Sequence, residues 1–112
     1  MIVDTKDFHK VVDYDPDPEL HADYMDQEGF EEEKASWLAG DITCLYVFAA
    51  VTINIPHGTD GTYITHDVHS PGLYGIFVYS QEDPYLDEVY KEECNVLISM
   101  LTTMGMSIHV SD

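Results

Sequence analysis

The strongest alternation in the chain lies at residues 42–55, ITCLYVFAAVTINI, a run free of charged side chains. Every second residue there, Leu45, Val47, Ala49, Val51, Ile53 and Ile55, is apolar and forms one unbroken face of a period-2 pattern. The alternate set, Cys44, Tyr46, Phe48, Ala50, Thr52 and Asn54, is mixed and becomes polar toward its end. This β-branched and aromatic content disfavours a helix of that length. The pattern predicts a long strand whose apolar face is covered by a helix.

The remaining elements follow from the punctuation around it. PHGTDG is a Pro- and Gly-rich turn, which predicts a hairpin to a second strand at 62–68. Tyr63 and Thr65 fall on one face of that strand, and Ile64, His66 and Val68 on the other. HSPG is read as another tight turn, leading to a third strand at 73–79 with Gly75 as a bulge, so that 42–79 forms a three-stranded meander. Upstream, 1–18 reads as an arm with a short strand around Ile2 and Val3. It runs into the acidic stretch DYDPDP, through which Pro16 and Pro18 forbid a helix.

Residues 19–39 are predicted helical, with Leu20, Tyr24 and Met25 as apolar positions and a break at Gly29. In the firmer piece, 30–39, Phe30, Trp37 and Leu38 share a stripe along the stem of Lys34, and Gly40 stands at the C-cap. Asp83 as N-cap and Pro84 as first helical residue open a helix over 83–104. Leu86, Tyr90, Cys94, Leu97, Leu101 and Met104 form its stripe, and Gly105 ends it. Met106, Ile108 and Val110 alternate as in a short last strand over 106–110. No repeat or linker divides the 112 residues, so 1–112 is one domain of class α+β. Its expected architecture is an antiparallel sheet of three to four strands with one face covered by helices.

Charge changes the picture from scaffold to surface. There are 22 Asp and Glu against 4 Lys and no Arg, a formal net charge of -18. Such a chain repels nucleic acid and anionic membrane, and its natural partner is a basic surface. Twelve of the 22 acids fall between Asp4 and Glu33, and the last helix adds Glu82, Asp83, Asp87, Glu88, Glu92 and Glu93. Duplex DNA carries a negative charge about every 1.7 Å of its axis, a spacing that carboxylates scattered over folded elements can imitate. Tyr14, Tyr24, Tyr85 and Tyr90 punctuate these acids as candidate apolar anchors. The expected partner-binding residues are therefore Asp83, Tyr85, Asp87, Glu88 and Glu92 in one cluster, and Asp23, Tyr24, Asp26, Glu31 and Glu32 in the other. The competing reading is acidity for solubility or high salt. The 5 Met, 8 Tyr and bulky aliphatic core lack the small-residue bias of salt adaptation.

Other chemistry is sparse. Cys44 and Cys94 lie mid-strand and mid-helix and are expected to be free core thiols. His57, His66 and His69 gather near the hairpin with Asp60 and Asp67, but their spacing matches no zinc signature. Asp13, Asp15 and Asp17 suggest a calcium loop, yet Pro18 and Tyr24 occupy the positions where it needs Gly and Glu. Ser70 and Ser80 lack a nucleophile-elbow context, and Cys44 has no adjacent base. No enzyme, cofactor or metal is expected. The start MIVDTKDFHK lacks the features of a signal peptide, and no run of about 18 apolar residues spans a membrane, so a soluble protein of a reducing compartment is expected.

The segments WLAGD and SPGLYGIFVYSQED resemble a group of small acidic proteins encoded by tailed phages. That group carries a Trp-x-x-Gly-acid step into a strand, then Ser-Pro-Gly-Leu-Trp-Gly-Ile-Glu-Ser-Asp and an acidic helix. The resemblance covers roughly residues 30–105. Tyr74 stands for the tryptophan, and Phe77 and Val78 replace the polar pair. It implies a phage or mobile-element accessory protein in the cytoplasm of a bacterial host. By analogy, the expectation is a non-enzymatic inhibitor with a DNA-mimicking acidic face, of the anti-CRISPR or anti-restriction type, that binds no nucleic acid itself. Its target would be a basic host protein such as a CRISPR effector, a restriction enzyme or a DNA glycosylase. The first alternative is a phage structural or assembly protein whose acidity gives only solubility. The second is a small histidine-based metal-binding domain.

Overall fold

The computed structural model describes residues 1–111 and is α+β, with helix packed on an antiparallel sheet. The elements in order are β1 (Ile2–Asp4), β2 (His9–Tyr14), α1 (Pro18–His21), a 3-10 turn (Ala22–Asp26) and α2 (Glu31–Leu38). They continue with β3 (Thr43–His57), β4 (Thr62–His69), β5 (Leu73–Val78), α3 (Tyr85–Thr103) and β6 (Ser107–His109).

The alternating stretch is the axis of the sheet. Leu45, Val47, Ala49, Val51 and Ile53 are all buried on one face of β3, under Leu86, Val89, Leu97 and Leu101 of α3. The start of α3 follows from its sequence, since Oδ1 of Asp83 accepts from the amide of Tyr85 at 2.9 Å. At its end, Gly105 at φ +91° lets the amide of Met106 reach back to the carbonyl of Leu101, a Schellman closure. Gly40, at φ +82°, closes α2 in the same way through Asp41 to Ser36.

Three expectations need correction. First, 1–18 holds more than the short strand expected around Ile2 and Val3. It supplies β2, antiparallel to β3 from His9↔Ala50 to Tyr14↔Leu45, and β1, parallel to β6. The signal was weak because HKVVDY alternates poorly and lies on an edge, half-exposed.

Second, 42–79 is no meander. β5 pairs with β3 and continues along the edge that β4 has already begun, so β4 and β5 are collinear. HSPG is thus a break in one line rather than a reversal. Oγ of Ser70, fully buried, accepts from the amide of Ala49 at 3.0 Å and its own amide donates to the carbonyl of Ala49, which keeps the chain on the same edge.

Third, several positions placed on apolar stripes face water. Leu38 and Leu20 are 75% and 68% exposed, and Met104 lies beyond the last turn of α3, also exposed.

The second face of the sheet is not bare at the β5 end. Phe77, opposite Cys44, meets Trp37 edge-on at 5.3 Å and Tyr24 at 5.7 Å, which holds the α1–α2 segment against that face. Farther along, Tyr74, Tyr46 and Phe48 form a stacked row with His69 against its end. The distal part of the β3–β4 hairpin stands clear of both layers, with Thr62–Asp67 exposed at every position.

Candidate partner-binding surface

The segment that carries the first acidic cluster is anchored by a carboxylate that is itself buried. Asp15 follows β2, and its amide donates to the carbonyl of Cys44, which turns its side chain over the sheet beside Cys44. Oδ1 accepts from the amide of Asp17 at 2.8 Å, and Oδ2 from the amide of Gly75 at 2.7 Å. Nε2 of His21 lies 3.5 Å from Oδ2. Burial alone would raise the Asp15 pKa. The two backbone N–H groups, then His21 and the Cys44 thiol, overcome it and hold the carboxyl below its usual 3.8. Gly75 must be glycine here: its φ is +72°, and a Cβ would come within 3.0 Å of the His21 ring. Sequence alone marks Asp15 as one acid of a tract and a member of the rejected Asp13-Asp15-Asp17 calcium pattern, not as a buried anchor. Its Asp-Pro-Asp setting, in which the carboxylate caps the amide two residues on, is the one local signal for it.

The two acidic clusters lie on opposite faces of the sheet. Glu88 and Glu92 project from the outer side of α3, which covers the Leu45–Val47 face. Asp23, Glu31 and Glu32 belong to the segment held against Phe77 on the other face. The chain thus offers two separate acidic faces, one for each expected cluster.

Within each face the roles divide further. Asp83 caps α3, and Asp87 accepts from Lys10 Nζ at 2.7 Å, which holds its carboxyl below the usual range. Glu88 and Glu92 are exposed and have no hydrogen-bond partner among the described residues. On the other face Asp26 pairs with Lys34, and Glu31 accepts from the amide of Gly29. Asp23 and Glu32 are exposed. Tyr24 is a half-buried, packed side chain. It lies edge-on to Phe30 at 5.1 Å, and its hydroxyl donates to Oε2 of Glu33 at 2.9 Å. Burial, with Glu33 beside it, pushes this phenol up to about 12.

Three of the ten expected site residues do converge. Tyr24, Asp83 and Tyr85 line a groove of about 430 Å³ that follows β5 from Leu73 to Val78. The convergence was not legible from sequence, because it depends on β5 being an edge strand with α3 beginning on one side and the 3-10 turn on the other.

The remaining candidates are dispersed. Burial, with Asp15 adjacent, pushes the Cys44 thiol up to about 12, so it holds its proton at neutral pH. Cys94 is also a free thiol with a raised pKa, again through burial. His66 stands opposite Ile53 and His69 opposite Ala50, which sends the two rings to opposite faces of β4. Among the described residues no three His, Cys, Asp or Glu side chains are placed to hold a metal ion. No described helix is long and apolar enough to cross a membrane. Comparison with protein families, with characterised proteins and with solved structures returned no match.

Proposed function

We propose that the chain is a non-enzymatic binding protein whose acidic surface engages a basic, nucleic-acid-binding host protein, in the manner of phage inhibitors that imitate DNA. The observation that carries this reading is the distribution of charge over the fold. Only Asp60 and Asp67 of the 22 acids fall between residues 42 and 81, so the carboxylates are nearly absent from β3, β4 and β5 and lie on the helices and on the β1–β2 segment. On α3, Glu88 and Glu92 stand one turn apart on a 19-residue helix, a rigid spacing that loops cannot provide. The bacterial cytoplasm as location, and a CRISPR effector, restriction enzyme or DNA glycosylase as target, rest on the phage resemblance.

The test is capture of basic proteins from a bacterial host lysate across a salt series, with two double reversals. Glu88→Lys with Glu92→Lys should reduce capture mainly through association rate, as should raising the salt, since exposed charges are screened over about 8–10 Å at physiological ionic strength. Glu31→Lys with Glu32→Lys, on the opposite face, should leave α3-dependent capture intact. Capture that survives both reversals and high salt would assign the acidity to solubility alone.

A further inference from the structure

The backbone pairing of β3 determines what the outer edge of β5 offers. The amide of Asp15 donates to the carbonyl of Cys44 on the β2 side at 3.0 Å, and that of Ser70 to the carbonyl of Ala49 on the other side at 2.9 Å. Even-numbered residues of β3 thus aim their backbone groups at β2, and odd-numbered ones at β4 and β5. By antiparallel alternation Leu45–Ile76 and Thr43–Val78 are the hydrogen-bonded pairs. The N–H and C=O of Phe77 then point away from β3, into the groove, and neither has a partner among the described residues.

We propose that this groove is a strand-addition site: an extended, Lys- or Arg-bearing segment of a partner protein pairs with β5 at Phe77. Its side chains would lie between Tyr24 on one wall and Tyr85 on the other, with a cation near Asp83. The inference rests on the basic-partner reading and specifies how such a partner is held.

An extended occupant follows from the groove's course, because six consecutive residues of one strand line it and a helix laid there would bury the Phe77 amide and carbonyl unpaired. Partly exposed aromatic and apolar side chains, Leu73, Tyr74 and Tyr85, supply the contact area, at 41–44% exposure. The basic character follows from Asp83 in the wall, Glu82 beside it and a net charge of -18, which repels an acidic segment. The bulge at Gly75, whose amide is taken by Asp15, limits the open edge of β5 to Ile76–Val78, and these residues include no Lys or Pro to block pairing there.

The test uses the full chain and three synthetic peptides: alternating lysine and valine, the same peptide N-methylated at alternate amides, and alternating glutamate and valine. The expected result is binding of the lysine peptide with slowed hydrogen exchange at the Phe77 amide. N-methylation should weaken it about tenfold or more, since it removes main-chain bonds while keeping the charge. Tyr85→Ala, at an exposed position, should weaken it as well, and the glutamate peptide should not bind. Equal binding of the N-methylated peptide with an unchanged Phe77 amide would overturn strand addition and leave the basic-partner reading standing as charge attraction. Failure of the lysine peptide to bind at all would also overturn the site. The basic-partner reading falls only if host capture ignores salt and both charge reversals.

Discussion

Asp15 is the residue on which chemistry and structure meet most closely. Its carboxylate satisfies the amides of Asp17 and Gly75, joining the proline-rich segment after β2 to the bulge in β5. Replacing it with Ala leaves two backbone donors without their acceptor and should cost about 2–4 kcal/mol, measured by chemical denaturation. Its pH dependence has a definite sign. The folded carboxyl lies below 3.8, so the stability it contributes is complete above that pH and is lost as pH falls through the folded value. Wild type should therefore lose stability more steeply below about pH 4 than Asp15→Asn, which starts lower and has no proton to bind there. Parallel acid-denaturation curves for the two proteins would remove Asp15 from this role.

Among the elements, β3 decides whether there is a fold at all, since it pairs with β2, β4 and β5 and carries the apolar face that α3 covers. Val51 is 1% exposed at its centre. Val51→Asp buries an unpaired carboxylate at a cost of about 3–5 kcal/mol, comparable to the whole stability of a domain this size. The expected outcome is loss of the cooperative thermal transition, and an unchanged melting curve would place Val51 outside the core. The helix α3 was largely readable from its own sequence, through Leu86, Leu97, Leu101 and the closing Gly105, although the stripe missed Val89 and wrongly included Met104. The α1–α2 region was readable only in part. Its first apolar position, Leu20, is exposed, while Met25, in the 3-10 turn, is buried. A helix as short as the four residues of α1 follows its tertiary contacts rather than a periodic pattern.

At the scale of the whole molecule, shape and charge act together. The radius of gyration is 18.2 Å, against about 13 Å for a compact domain of this length. The excess comes from the hairpin of β3 and β4, whose distal part projects away from the helical layers. With a net charge of -18 and four lysines, the compact body works against its own repulsion. Screening should therefore stabilise it: the melting temperature should rise between low salt and about 1 M NaCl, where the Debye length falls to about 3 Å. A melting temperature that falls or stays flat would mean that the carboxylates are already compensated within the fold.

Local periodicity, turn chemistry and composition suffice for the central strand, its hairpin, most of the acidic helix and the sign of the surface. Which strand β5 joins, the burial of Asp15, the packing of Tyr24 and the opposite facing of the two acidic clusters come from long-range packing instead. Each of these depends on segments far apart in the chain meeting across β3. A one-dimensional pattern shows which side of a strand is apolar, but pairing partners and the faces that loops cross are set by the packing of the whole sheet.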